Sequence, residues 1–140
     1  MRQAAAAALL LSAGSVLQPG SQSRSTAAGF PTRHGTAAYV ITPQRRALLN
    51  TIRYAEGTWK QGSREGYHTL YGGGRFANLA RHPEIVVVKR YRSAAAGAYQ
   101  FLPNTWREAS QKLQLASFQP DNQDQAALYL VDRRGVLAQI

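Results

Sequence analysis

One segment constrains this chain more than any other: between Thr42-Pro43 and Gly57 runs an amphipathic stretch whose apolar stripe ends on a carboxylate. Thr at the N-cap and Pro at the first helical position open a helix, because the Thr hydroxyl accepts an otherwise unpaired backbone N–H and Pro has none to leave unpaired. Gly57 closes it, since glycine takes the left-handed turn that ends helices. The predicted helix therefore runs from Pro43 to Ala55 or Glu56. Leu49, Ile52 and Glu56 fall at i, i+3 and i+7, so they share one face, and that face is the apolar one. A carboxylate there is disfavoured by desolvation and by the negative end of the helix dipole, and both push its pKa upward. That is the property of a general acid near neutral pH. Periodicity alone leaves open that Glu56 is simply solvated beyond a frayed helix end.

After this helix the sequence changes character. Tyr67 to Phe76 is aromatic, Thr and Leu around Gly72-Gly73-Gly74, too rich in glycine for a helix and suited to a short hairpin or irregular sheet. Ile85 to Val88 is a β-branched run that reads as a strand, and helices follow from about Asn104 to Leu115 and from Asp121 to Arg134, closed by Gly135. A helix, a small β region and further helices make an α+β arrangement.

The region before Thr42 reads differently. Met-Arg-Gln, then Ala4 to Leu11, then small residues to Leu17 have the order of a signal peptide, assigned to residues 1–17. Its apolar middle is too short and alanine-rich for a stable membrane span. Residues 18–41 read as a flexible linker or disordered arm, rich in Ser, Gly, Thr, Ala, Gln and Pro, and residues 42–140 as the folded domain. A cleaved leader implies a secreted or periplasmic protein; without it the chain stays cytoplasmic until release.

Composition narrows the chemistry. Seventeen Lys and Arg against seven Asp and Glu give +10, and only Arg2, Arg24 and Arg33 precede Thr42, where there is no acid, so the folded part keeps 14 against seven, or +7. Such a body is drawn to polyanions. The basic residues are dispersed and no helix-turn-helix, zinc-finger or RNA-binding signature is present, which argues against nucleic acid as the partner. The absence of cysteine removes thiolate nucleophiles and Cys-based zinc sites. His34, His68 and His82 lack the close spacing of a helical metal pair, so no metal is expected.

Several motifs in order carry a resemblance. Tyr54-Ala55-Glu56-Gly57-Thr58, then Tyr67 and Gly72-Gly73, then Gly97-Ala98-Tyr99-Gln100-Phe101-Leu102 and Trp106, then Gln123-Asp124 and Arg134-Gly135 resemble the lambda-type phage endolysins from about Gln44 to Leu137. The resemblance implies a lysozyme-like α+β fold and cleavage of the bond between N-acetylmuramic acid and N-acetylglucosamine in peptidoglycan, leaving a 1,6-anhydro sugar and needing no cofactor. The family's catalytic Glu lies in a Ser-Glu-Gly-Thr motif and maps onto Glu56, with Ala55 in place of the Ser. Gly97 to Gln100 is similar to the Gly-Leu-Met-Gln motif of the wider lytic transglycosylases, whose Gln lines the cleft, so Gln100 is the first candidate for substrate contact, with Tyr99 beside it.

The acid inventory fits this implication. A glycosidase that uses water needs two carboxylates flanking the bond, whereas a transglycosylase works with one, because the sugar's own C6 hydroxyl attacks C1. Glu108 and Asp132 are expected on solvated faces, Asp121 as a helix N-cap and Asp124 favouring the positive helix start. Glu65 and Glu84 lie by the β region, with Glu65 the better candidate for a second carboxylate. Tyr67, Tyr71, Tyr91 and Tyr99 are candidates for stacking on sugar rings, and Lys89-Arg90-Tyr91-Arg92 for holding carboxylates; packing and a solvated face are the plain alternatives. Trp59 and Trp106 read as packing.

The lambda-type enzymes continue for several helical segments past the point corresponding to Arg134-Gly135, whereas this sequence stops at Ile140. On that reading Leu128, Leu130 and Val131 are expected to be partly exposed or covered by another chain, with marginal stability and self-association through the last helices. The rival readings are a non-catalytic or degenerate peptidoglycan-binding module and a hydrolytic muramidase.

Overall fold

The computed structural model describes residues 39–140; the expectations for the leader and for the arm as far as Ala38 lie outside the described residues. Helix α1 spans Pro43–Glu56, with Thr42 Oγ1 accepting from Arg45 N at 3.2 Å and Gly57 in the left-handed conformation at φ 75°. Both ends are where the capping residues placed them. The middle of the chain is a run of 3-10 turns, Lys60–Gly62, Arg64–His68 and Tyr71–Gly73, followed by the two-residue strands β1 (Val87–Val88) and β2 (Arg92–Ser93). Helices α2 (Pro103–Leu113) and α3 (Pro120–Arg133) follow, and a last turn covers Leu137–Gln139. The lysozyme-like α+β expectation matches this order.

Four details differ from the sequence reading. The strand expected over Ile85–Val88 shrinks to Val87 and Val88, antiparallel to Ser93 and Arg92; Ile85 and Val86 have no ladder partner and are 44% and 48% exposed. The expected hairpin near Tyr67–Phe76 is reduced to one bridge, Thr69 to Arg75, because Gly72 and Gly73 at φ 81° and 96° curl the chain into a turn. Asp121 is not the cap of α3: Gln119 holds that position, Pro120 leads the helix, and Asp121 sits in its first turn. Tyr39 and Ile41, read from the sequence as the end of the arm, lie against the folded body. Tyr39 N donates to Gln125 Oε1 and Gln125 Nε2 donates back to Tyr39 O, both at 2.9 Å, while Tyr39 and Ile41 pack on the core.

The core forms around α3, which packs on α1, α2 and the last turn. Leu128, Leu130 and Val131 are 0%, 1% and 7% exposed, which corrects the expectation of an uncovered apolar face. They are covered within the chain, in one cluster with Leu49, Ala109 and Leu137, and so offer no surface for self-association. A ring cluster joins the middle to the helices: Trp106 meets Phe118 edge-on at 4.6 Å, and Phe101 lies 5.4 Å from Trp106. Trp106 is therefore packing, as expected. Among the described residues no helix is long and apolar enough to cross a membrane.

Candidate active site

Glu56 is the last residue of α1, only 4% exposed, and neither carboxylate oxygen has a hydrogen-bond partner. Burial alone pushes its carboxyl from the usual 4.5 to about 8. A buried carboxylate without donors is disfavoured, so the group holds its proton at neutral pH. The solvated, frayed alternative does not occur.

The chain after Glu56 is tied down on every side. Gly57 N donates to Tyr54 O and Thr58 N to Arg53 O, which satisfies two of the carbonyls in the last helical turn. The Thr58 hydroxyl reaches Ala98 O at 2.5 Å and thereby fastens the helix end to the Gly97–Gln100 turn. Gly66 crosses so close to this segment that a Cβ there would lie 1.9 Å from Thr58 O. Arg53, one turn before Glu56, is 3% exposed; its Nη2 donates to the carbonyls of Thr58, Trp59 and Ser63, and its guanidinium lies 5.2 Å from the Trp59 ring and 4.7 Å from the Tyr67 ring. Trp59 is thus a stacking partner of an arginine rather than plain packing.

The 97–100 turn is held from behind by α3. Gln123 Oε1 accepts from Ala98 N at 2.9 Å, and its Nε2 donates to Tyr67 O and Phe118 O. Gly97, at φ 86°, has no room for a side chain, since a Cβ would sit 2.4 Å from Gln123 Oε1. Asp124 is 2% exposed, takes the hydroxyls of Tyr67 and Tyr99 on one oxygen at 2.8 and 2.5 Å, and pairs with Arg46 through the other at 2.9 Å. Burial and the Asp124 charge raise both tyrosine pKa values, so both hydroxyls remain donors.

This arrangement sorts the residues that the sequence singled out. Tyr99 is 0% and Tyr67 5% exposed, with both hydroxyls spent on Asp124, so neither offers a ring face to a sugar. Gln100 is also turned inward: at φ 50° its side chain is 5% exposed and Nε2 donates to Thr69 O and Gly97 O, so both amide protons brace the turn. Tyr71 is half-buried at its turn, and Tyr91 is 55% exposed. Lys89 lies against Gly72, and Arg90 and Arg92 are exposed.

The other acids are engaged at the surface. Glu65 pairs with Arg75 at 3.1 Å, Glu84 with Arg107 at 3.2 Å and Glu108 with Arg133 at 2.6 Å, each carboxylate at least 42% exposed. Asp132 accepts from Tyr39. His82, buried and with its pKa lowered by desolvation, gives one ring nitrogen to Phe101 O and takes Glu84 N on the other. Among the described residues no cluster of three His, Cys, Asp or Glu side chains is placed to hold a metal ion.

Arg53 and Asp124 are the residues of the site whose roles sequence reasoning missed. For Asp124 a signal existed: with Ala127, Leu128 and Val131 it follows the helical stripe that also marked Glu56.

Glu56 is thus buried directly before Gly57-Thr58, and Thr58 fastens that helix end to the Gly97–Gln100 turn. A sequence model of the Endolysin family matches residues 46–140. The chain belongs to the endolysin family. The endolysin of Escherichia phage lambda is 35% identical over 105 residues, covering 71% of this chain and 66% of the relative. The chain thus spans just under two thirds of that endolysin's length. The lysozyme from bacteriophage lambda has the same fold, at TM-score 0.66 and 32% identity, covering 71% of this chain and 68% of that one. A second structure, bacteriophage lambda lysozyme complexed with a chitohexasaccharide, superposes at TM-score 0.65 with 33% identity and the same coverage.

Proposed function

We propose that this endolysin-family chain cleaves the β-1,4 bond between N-acetylmuramic acid and N-acetylglucosamine in peptidoglycan, as a lytic transglycosylase with Glu56 as its one catalytic residue. The observation that carries this reading is the unpartnered carboxyl of Glu56, buried and raised to about 8. The lambda lysozyme captured with a chitohexasaccharide supports a glycan as the substrate class.

The chemistry follows from a single acid. Glu56 protonates the leaving glycosidic oxygen as the C1–O bond breaks. The C6 hydroxyl of the muramic sugar then closes on C1, and the Glu56 carboxylate takes the hydroxyl proton, which returns the acid to its starting form. A hydrolytic route needs a second carboxylate for water or for a covalent sugar. The other six acids support the one-acid route: four serve surface ion pairs or hydrogen bonds, Asp124 is locked in its buried network, and Asp121 sits exposed in the first turn of α3.

Digestion of purified peptidoglycan followed by mass spectrometry tests the reading. Products one water lighter than hydrolytic muropeptides are expected, with no oxygen taken up from labelled water. Products of full hydrolytic mass carrying the label would make the chain a muramidase.

A further inference from the structure

A cavity of about 310 Å³ opens along the Arg46–Asn50–Arg53 face of α1, between that helix, the turns after it and the start of α3, and Glu56 does not line it. Its walls are chemically uneven. Arg46, Arg53 and Arg64 face it together with Asp121 and Asp124, which leaves one net positive charge. Asp124 is already saturated by Arg46 and the two tyrosines. Free donors remain: the exposed Arg64 makes no hydrogen bond or ion pair among the described residues, and Arg53 Nε is buried without an acceptor. The first turn of α3 has no side-chain cap and adds backbone N–H groups that the helix itself cannot satisfy. The half-buried Trp59 supplies an aromatic wall, while Tyr67 is buried against Arg53.

We propose that this cavity is a subsite for a carboxylate of the peptide stem carried by the glycan, a role that rests on the reading of the chain as a peptidoglycan-cleaving enzyme. A single net charge suits a carboxylate better than a phosphate dianion, and the planar guanidinium of Arg64 matches a carboxylate with two parallel hydrogen bonds. The aromatic wall takes the small methyl group beside that carboxylate. Arg53 lies one turn from Glu56, about 4.5 Å along the helix axis, so a stem held here keeps its sugar within reach of the acid.

Binding of a stem fragment without turnover tests the subsite. Titration of the full chain with N-acetyl-D-alanyl-D-alanine, followed by NMR, should shift the Trp59 indole N–H and the Arg64 side-chain N–H saturably. The C-terminal amide of the same peptide should bind about tenfold more weakly or worse, and Arg64→Gln should weaken the acid by a similar factor, through the loss of the charge-assisted pair of hydrogen bonds. Equal binding of acid and amide overturns the subsite. So does acetate or inorganic phosphate binding as tightly as the peptide, which would make the cavity an indiscriminate anion site. If the peptide fails to bind while the chain still lyses walls, the subsite alone is wrong. If the peptide binds and no wall is cleaved, the catalytic reading is wrong and the subsite stands.

Discussion

Replacing Glu56 by glutamine is expected to lower wall lysis by a factor of at least about a thousand, because the amide keeps the shape of the side chain and loses the only transferable proton. The same substitution changes the pH dependence of stability. Between the unfolded value near 4.5 and the folded value of about 8, the native state holds a proton that the unfolded chain has released. The contribution of Glu56 is therefore fully present below pH 4.5 and is lost as the pH rises through 8, at about 1.4 kcal/mol per pH unit inside that window. Glu56→Gln removes this loss, so the variant should melt higher than the parent at pH 9 and close to it at pH 4. Turbidity loss of a cell-wall suspension and thermal melts at the two pH values measure both effects. Retained lysis would remove Glu56 from the chemistry, and identical melting curves at pH 9 would mean that its carboxyl is not desolvated.

Asp124→Ala is expected to destabilise the fold by about 3–5 kcal/mol, the range for breaking a buried charge network by removing one partner. The loss leaves the hydroxyls of Tyr67 and Tyr99 without an acceptor in the core and strands Arg46. In a domain whose total stability is about 5–15 kcal/mol, that is a large fraction. Because Tyr67 stacks on Arg53 and Tyr99 belongs to the turn that meets Thr58, the lesion should spread to the segment around Glu56. Urea unfolding measures it. A shift below about 0.5 kcal/mol, in the range of ordinary surface substitutions, would show that the tyrosines find other acceptors and that Asp124 is not the hub.

What the sequence made legible follows the range of the interactions involved. The ends of α1 were readable because caps are local: Thr42, Pro43 and Gly57 act within one turn of chain. Glu56 was readable because a carboxylate on an apolar stripe stands out against the helical period. The inward turn of Tyr67, Tyr99 and Gln100 was not legible for the opposite reason. Motif spacing brings them to the site, but which way each side chain turns depends on Asp124, Thr69 and the φ of 50° at Gln100, partners or conformations that no local pattern reveals. The expectation that Leu128, Leu130 and Val131 are partly exposed or covered by another chain fails because α3 runs through the middle of the body and is covered by α1, α2 and the 137–139 turn. The contacts that bury this helix are tertiary, and its polar first half gave no local sign of them.

The claim on which the rest depends is that Glu56 is an uncharged acid under working conditions. Titration of its side-chain carboxyl carbon by NMR, in the folded chain with carbon-13-labelled glutamate, reads this directly. A single Glu56 transition with its midpoint near 8 is the predicted result. A midpoint near 4.5 would contradict the account, because a carboxylate already ionised at neutral pH has no proton to give to the glycosidic oxygen.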